Sequence, residues 1–398
     1  MKTTPSIERT LDVIMNAEDS RHTFLPGILN MLSHVYGSAV KIRKFGYHNN
    51  LIKPDTLPCY VMSIGNITVG GTGKTPLAIY MAKLFKDMGY KVAIISRGYK
   101  GGAEKKGGIV SNGDSLLLDA DRAGDEPYLI ACELKGIPVI VGSNRIKAGR
   151  LAIKEFHPDV IILDDGFQHI KLFRNLDIVL LDTAHPFGNG HLLPRGTLRE
   201  PVDALARGDI FILSRSDTVD GETRIKTIET INTLVHPKPV FQAVHVPYIK
   251  RVIKQDDAYR ETGRIDAAYD DNFLNHRKVV AFSGIAKNHV FEETLKQFGC
   301  FPLKIFSYGD HHQYKKKHME DMVSFAKKHT ADFIVTTEKD YVKIKNHTRT
   351  GMNLIVLDTR ISFGEQRDQF HELIRDRIQT FYSSFFNGEI TRLGNKER

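Results

Sequence analysis

Short apolar runs alternate with helix-length segments through much of the chain, and this alternation restricts the possible folds more than any other feature. Each run has the length of a buried strand, while segments such as 75–88 and 144–156 carry helical spacing. Strands that alternate with helices predict a parallel sheet with helices on both faces. The runs are YVMSIG, KVAIIS, IPVIVG, DVIILD, LDIVLLD and DIFILS. We therefore predict an α/β fold.

The pattern changes after residue 236, which predicts a domain boundary there. Residues 237–254 read as two extended segments, and residues 255–275 are polar, so 237–275 is interpreted as a hinge followed by an insertion. The α/β alternation then resumes in 276–398 and ends in a helical segment. The prediction is a sheet domain over 48–236 and a second, smaller α/β domain over 276–398, joined by the hinge.

Composition and charge exclude some classes of protein and leave others open. Cys59, Cys132 and Cys300 are far apart in sequence, which argues against a disulfide framework or a zinc site. The sequence has no apolar run long enough to predict a transmembrane helix. The N-terminal residues lack the apolar region of a secretory signal. The net charge of +9 favours an anionic partner, which could be nucleic acid, anionic lipid or a phosphorylated substrate, although many basic proteins have no special partner.

An amphipathic helix is predicted over residues 24–47, after an N-terminal extension of residues 1–23 to which we assign no role. Apolar residues recur there at helical spacing, and Lys41, Arg43 and Lys44 follow them. Such a helix can lie in a membrane interface or can cover a domain core, and the pattern alone favours the core.

The segment SIGNITVGGTGKTP, at 63–76, predicts a phosphate-binding loop between a strand and a helix. Glycines let backbone N–H groups approach phosphate oxygens, Lys74 can reach the β- and γ-phosphates of ATP, and the Thr75 hydroxyl can bind Mg²⁺. The strict motif has glycine where this chain has Thr68. The expected nucleotide-binding residues are Gly70, Gly71, Thr72, Gly73, Lys74 and Thr75.

A second acidic element fits the same nucleotide site. Asp164 and Asp165 end the apolar run VIILDD, and ligands of open α/β sheets bind at the carboxyl ends of the strands. Mg²⁺ prefers such carboxylate oxygens. The sequence DDG is also a common turn, but together with the upstream loop it favours metal binding.

Eight short motifs then occur in an order that resembles a known family. They are VGGTGKTP, SRGY, GDEP, DDGFQH, LLPRGTLREP, SGIAKN, DHH and TEKD, and the resemblance runs from about residue 24 to about residue 358. Together they resemble the tetraacyldisaccharide 4′-kinases of Gram-negative bacteria. The resemblance implies transfer of the ATP γ-phosphoryl group to the 4′-hydroxyl of tetraacyldisaccharide 1-phosphate, a lipid A precursor. It also implies a monotopic enzyme on the cytoplasmic face of the inner membrane.

The resemblance changes the interpretation of several residues. The helix over 24–47 is now expected to face an anionic membrane surface, which the basic charge suits. By resemblance, Asp125 of GDEP is the catalytic base and His311 of DHH is its partner, with Asp310 holding His311. Since Asp125 falls in the first predicted domain and His311 in the second, domain closure is expected. Lys339 and Asp340 of TEKD support the second domain or simply form a turn.

The resemblance also completes the set of expected site residues. Those expected to organise Mg²⁺, directly or through water, are Thr75, Asp164, Asp165, Gln168 and Glu200. Those expected to contact phosphate or substrate are Arg145, His169 and Arg199, with Arg195 as a further cation.

Two other classes of protein were weighed against a lipid kinase. A P-loop GTPase or metallochaperone switch shares the glycine loop, but the segment 214–217 matches the guanine-recognition element poorly. A nucleic-acid-binding ATPase would fit the charge, but no recognised nucleic-acid-binding motif occurs and the aromatic residues lie mostly in apolar runs. Nucleic acid is therefore not an expected partner.

Overall fold

The computed structural model describes residues 24–49, 51–254, 272–285, 288–309, 312–344 and 351–394. These residues form two compact units. The first unit comprises 24–96, 144–244 and 361–394, and the second comprises 97–143 and 245–360. The predicted fold class is confirmed, because both units combine helices with largely parallel strands.

The first unit contains a parallel sheet in the order β8–β7–β6–β1–β5–β2. Its central strands are buried along their whole length, because helices cover both faces of a parallel sheet. The strands are β1 (Tyr60–Gly65), β2 (Val92–Ser96), β5 (Val160–Asp164), β6 (Leu176–Asp182), β7 (Ile210–Ser214) and the start of β8 (Val240–Ile253). The helices are α1 (Phe24–His48), α2 (Lys74–Asp87), α5 (Arg145–Phe156), α6 (Gly221–Leu234) and α10 (Arg367–Gly394).

The second unit contains the parallel strands β10–β9–β11–β12 and the antiparallel pair β3–β4. Two apolar clusters, one centred on Leu295 and Val335 and the other on Met322 and Ile334, form its core. The strands are β3 (Gly108–Ser111), β4 (Val139–Val141), β9 (Lys278–Ser283), β10 (Phe301–Ser307), β11 (Phe333–Thr337) and β12 (Leu354–Ser362). The helices are α3 (Ala120–Ala123), α4 (Asp125–Glu133), α7 (Asn288–Gln297), α8 (Lys316–Lys328) and α9 (Glu338–Ile344).

The units do not follow the boundaries predicted from sequence. Residues 97–143 belong to the second unit, so Asp125, which was predicted to lie in the first domain, lies in the second unit. The chain passes between the units at 96/97, 143/144, 244/245 and 360/361, whereas the sequence predicted a single hinge near 237–254, followed by an insertion up to residue 275. Much of that predicted insertion, 255–271, lies outside the described residues.

The C-terminal helix α10 was expected in the second domain but belongs to the first unit, and aromatic contacts explain why. Phe370 is fully buried, and its ring centroid lies 5.1 Å from that of Phe241 on β8. The Tyr80 hydroxyl lies 2.6 Å from His371 Nε2, and the Tyr382 hydroxyl donates to the Asp159 carbonyl at 2.8 Å. These partners are far apart in sequence, so periodicity could not reveal them.

Substitution Phe370→Ala is expected to lower the free energy of unfolding by about 3–5 kcal/mol, because it leaves a cavity under α10. Chemical unfolding followed by circular dichroism measures the change. The matched control is Phe173→Ala in the same unit, whose side chain is 49% exposed and whose loss should cost less than about 0.5 kcal/mol. Equal effects of the two substitutions would show that α10 does not depend on Phe370.

Candidate active site

The predicted phosphate loop lies between β1 and α2, and its glycines adopt conformations that other residues rarely take. Gly70 has φ 118° and Gly73, which caps α2, has φ 92°. A Cβ atom added at Gly70 or Gly71 would meet no heavy atom within 4 Å, so this part of the loop is bordered by open space. An open glycine turn at a helix N-terminus is suited to bind phosphate through backbone N–H groups.

The loop departs from the strict motif at Thr68 for a structural reason. Thr68 forms an antiparallel bridge with Leu198, and the neighbouring Val69 N–H donates to the Thr197 carbonyl at 2.7 Å. Thr68 is therefore extended backbone anchored to the 197–198 segment, where glycine is not required. The flexible turn begins only at Gly70.

Asn66 organises the loop and was missed by the sequence analysis. Its side chain is fully buried, donates to the Thr72 hydroxyl at 3.0 Å and accepts from Lys74 Nζ at 3.2 Å. The Gln168 amide in turn donates to the Asn66 carbonyl at 2.8 Å. The only sequence signal was a polar residue placed directly after a buried strand.

Asp165 is the point at which the cations of the site converge. Lys74 Nζ lies 3.6 Å from its carboxylate, and Arg199 Nη1 donates to both carboxylate oxygens at 2.8 and 2.9 Å. Burial alone would raise the pKa of Asp165, but Lys74 and then Arg199 outweigh burial and lower the pKa to about 2. Asp165 itself has φ 54°, which places its side chain in a tight turn after β5.

Asp164 and Gly166 complete this turn. Asp164 is buried at the end of β5, and its carboxylate accepts from the Ser96 hydroxyl at 3.3 Å. A Cβ atom on Gly166 would lie 2.6 Å from Leu163 Cβ, so only glycine fits there. Arg145, buried at the start of α5, directs Nη2 to the Asp164 carbonyl at 3.4 Å.

The segment 195–200 contacts both the phosphate loop and α1. The Arg199 N–H donates to the Ile67 carbonyl at 2.7 Å, while the Arg199 carbonyl accepts from the Tyr36 hydroxyl at 2.8 Å. Glu200 is buried, and its carboxylate lies 2.6 Å from Arg207 Nη2 and 3.8 Å from Arg43 Nη2 on α1. The Arg195 N–H donates to the Ser33 hydroxyl at 3.0 Å, which fixes the start of the segment on α1.

The structure thus brings most of the predicted phosphate and metal residues into the first unit. His169, which follows Gln168, contributes its carbonyl to Arg174 at 2.7 Å. Asp125 lies in the second unit, where its carboxylate is 3.2 Å from Lys343 Nζ. Asp310 and His311 lie outside the described residues, so the role expected for them stays a prediction.

The oxygen donors for a magnesium ion divide into two groups. Thr75 and Asp164 offer hydroxyl and carboxylate oxygens of the kind that Mg²⁺ prefers, and Asp164 is the last residue of β5. Asp165 and Glu200 are engaged by Lys74, Arg199 and Arg207. Within the described residues no group of three or more His, Cys, Asp or Glu side chains is arranged to hold a metal ion by itself. The oxygens of Thr75 and Asp164 are therefore suited to Mg²⁺.

Comparison with known proteins decides the family. Residues 25–379 match the family described as LpxK, tetraacyldisaccharide-1-P 4′-kinase. The chain belongs to this family. A relative named tetraacyldisaccharide 4′-kinase in Desulfatibacillum aliphaticivorans is 38% identical over 375 residues, which cover 94% of this chain and 99% of the relative. One in Syntrophus aciditrophicus is 38% identical over 358 residues, covering 88% and 93% of the two chains.

A solved structure agrees with this assignment. It is LpxK from Aquifex aeolicus in complex with ATP. The two proteins are 30% identical, and their superposition covers 89% of this chain and 100% of the Aquifex chain with a TM-score of 0.68. The predicted family and enzyme class are confirmed: the chain is an ATP-dependent kinase that 4′-phosphorylates a tetraacyldisaccharide 1-phosphate in lipid A biosynthesis. The alternative of a GTPase or metallochaperone switch is not favoured.

The charge cluster at Asp165 predicts a specific dependence of stability on pH. Its folded pKa of about 2 lies below the ordinary 3.8, so its ionised form stabilises the fold above about pH 4, and this contribution is lost as the pH falls through about 2. The contribution amounts to roughly 1–2 kcal/mol. Urea unfolding of the wild type and Asp165→Asn between about pH 2.5 and 7 should show a stability difference that narrows in acid. A difference that is constant with pH would contradict the pairing.

Proposed function

We propose that the chain transfers the γ-phosphoryl group of ATP to the lipid A precursor at the loop around Lys74, while α1 rests on the anionic cytoplasmic face of the inner membrane. The observation that carries the first half is the convergence of Lys74 and Arg199 on one carboxylate beside an open glycine turn. Two cations that share Asp165 leave a net positive charge, which the phosphates of ATP can bind.

The residues of the first unit would position the nucleotide. The N–H groups of the loop from Gly70 to Thr75 would bind phosphate oxygens, and Lys74, already held by Asn66, would reach the β- and γ-phosphates. Arg199 offers a planar guanidinium for phosphate oxygens, and Arg145 is a further candidate. Thr75 and Asp164 would hold Mg²⁺, with Gln168 and Glu200 acting through water. When bound, Mg²⁺ neutralises charge on the phosphates.

Asp125 would act as the base for the acceptor hydroxyl, as the resemblance implies. The proton leaves the 4′-hydroxyl for the Asp125 carboxylate, the hydroxyl oxygen bonds to the γ-phosphorus, and the bond from that phosphorus to the bridging oxygen breaks, leaving ADP. Asp125 begins α4, where the helix dipole favours the ionised carboxylate that this role requires. His311 as its partner, and a closing motion of the two predicted domains, remain part of this proposal.

The proposed membrane surface is one face of α1. The opposite face packs on the first unit through Ser33 and Gly37: the Ser33 hydroxyl donates to the Leu192 carbonyl at 2.8 Å, and a Cβ atom on Gly37 would meet Leu192. Among the described residues no helix is both long and apolar enough to cross a membrane. The exposed apolar side chains at helical spacing are Ile28, Met31, Leu32, Val35, Ile42 and Phe45.

A bilayer surface is the occupant that this face fits. Met31, Val35, Ile42 and Phe45 are each more than 60% exposed, at 62%, 64%, 73% and 63%. Lys41 is exposed on the same helix and suits anionic headgroups, whereas Arg43 and Lys44 pair with Glu200 and Asp203. A substrate that carries four acyl chains is held at such a surface, so docking there brings the enzyme to its acceptor.

Substitution Lys74→Ala should lower kcat by about 10²–10³-fold, because it removes a cation from the transferring phosphoryl group. The assay measures transfer of labelled phosphate from ATP to the disaccharide 1-phosphate in detergent micelles with Mg²⁺. Lys86→Ala is the matched control, since Lys86 is exposed in the last turn of the same helix α2. Wild-type activity of Lys74→Ala, or a wild type that labels no lipid acceptor, would contradict the proposal.

The combined variant Met31→Gln, Val35→Gln, Ile42→Gln and Phe45→Gln should reduce binding to phosphatidylglycerol-containing vesicles at least about tenfold, because the apolar area available for insertion is lost. Co-sedimentation with vesicles measures binding. A comparison with vesicles of neutral lipid gives the electrostatic contribution to binding. Ile225→Gln is the control, because Ile225 is 59% exposed elsewhere on the first unit. Unchanged vesicle binding by the combined variant would show that α1 is not the surface that binds the membrane.

A further inference from the structure

A buried lysine of the second unit points at the proposed base. The Lys343 side chain on α9 is 2% exposed, and its Nζ lies 3.2 Å from Asp125 Oδ2 and 3.7 Å from Asp340 Oδ1. An ammonium group removed from water costs several kcal/mol unless carboxylates compensate for it. Lys343 therefore depends on these two carboxylates, and they depend on it.

Asp340 is already fixed by other groups, which makes it the anchor of Lys343. Its Oδ2 accepts from the Gly284 N–H at 2.9 Å and from the Thr337 hydroxyl at 2.7 Å. A Cβ atom on Gly284 would lie 3.1 Å from Asp340 Oδ1, so the backbone approaches this carboxylate closely. Since Asp340 is fully buried and held in this way, it can hold Lys343 in place while the ammonium reaches Asp125.

The backbone that carries Asp125 is fixed as well. Gly124, directly before it, has φ 89°, and a Cβ atom there would lie 3.0 Å from the Tyr99 carbonyl oxygen. A Cβ atom on Gly101 would lie only 2.6 Å from the Gly124 nitrogen. With the backbone confined to this path, the direction of the Asp125 carboxylate depends on the side chains that contact it.

We propose that Lys343 is a positioning residue, which orients the Asp125 carboxylate and keeps it ionised so that it can accept the proton of the acceptor hydroxyl. This inference rests on the proposed role of Asp125 as the base. Lys343 donates no proton in the reaction: the proton moves from the hydroxyl to Asp125 only. Two further titratable groups, His312 and Tyr314, interact electrostatically with this cluster, and both are left intact in the test.

The chain offers a matched control in a second buried lysine of the same unit. Lys250 on β8 has a side chain that is 6% exposed and contacts Glu133, Asp358 and Glu338 at 2.9, 2.7 and 3.5 Å. Lys250 is thus buried and paired with carboxylates, as Lys343 is, but its carboxylates are different ones. Substitution of either lysine should therefore lower the stability, whereas an effect on catalysis through Asp125 should appear only when Lys343 is replaced.

The test compares Lys343→Met, Lys343→Arg and Lys250→Met in kinase assays over pH. We expect Lys343→Met to lower kcat about 10–100-fold with the KM for ATP changed less than about twofold. Since the positive charge favours the ionised carboxylate, its loss should shift the acid side of the plot of kcat against pH to higher pH by about 1 unit or more. Lys343→Arg should restore most of the rate, and Lys250→Met should leave the acid side in place while lowering Tm.

Other results would overturn the inference. An unchanged acid side in Lys343→Met, or an equal shift in Lys250→Met, would show that Lys343 has only a structural role. If Lys343→Met does not fold, Lys343→Gln takes its place, with Lys343→Arg as the charge-preserving comparison. If Asp125→Asn keeps wild-type activity, the proposed base and the positioning role fail together, whereas an inactive Asp125→Asn beside a normal Lys343→Met removes the positioning role alone.

An activity-independent measurement tests the pairing itself. The unfolding midpoints of Asp125→Asn, Lys343→Met and the double variant form a double-mutant cycle. We expect the double variant to be clearly less destabilised than the sum of the single variants, because the second change removes a partner already lost. Additive shifts would show that the two side chains do not interact and would overturn the inference even where no kinase activity is measured.

Discussion

The sharing of the Asp165 carboxylate between Lys74 and Arg199 is the interaction on which the candidate site depends. It joins the phosphate loop, the turn after β5 and the 195–200 segment, which are far apart in sequence. Without a carboxylate between them, the two cations would repel each other across a partly buried region. In the proposed function, the same carboxylate would keep both cations where a polyphosphate can bind them, so the site would be arranged before its ligand binds.

The local chemistry of the site could be predicted from sequence because it resides in short segments. A glycine turn before a helix and an acidic turn after an apolar strand can each be recognised from about ten consecutive residues. The structure brings both into one unit, together with Gln168, Arg145 and Arg199. Thr68, which seemed a defect of the motif, is explained by a backbone bridge to Leu198 that no local pattern encodes.

What could not be predicted depends on partners distant in sequence. Asn66 gains its role from Lys74 and from Gln168, about a hundred residues further on. The α10 helix was assigned to the second domain because it follows that domain in the chain, yet its aromatic side chains pack in the first unit. Asp125 was likewise assigned by chain order, whereas its packing places it beside α9 and Lys343. Chain order is a poor guide where the chain passes between units more than once.

The hydrogen bond from Tyr36 to the Arg199 carbonyl has a mechanical consequence. The same helix that presents apolar side chains to its surroundings also holds the backbone of the arginine that contacts Asp165. Any force that tilts or lifts α1 is transmitted to that arginine over 2.8 Å, with no intervening flexible loop. With α1 on a membrane as proposed, the thickness and lateral pressure of the lipid would become variables of the nucleotide site, although no lipid would have to touch it.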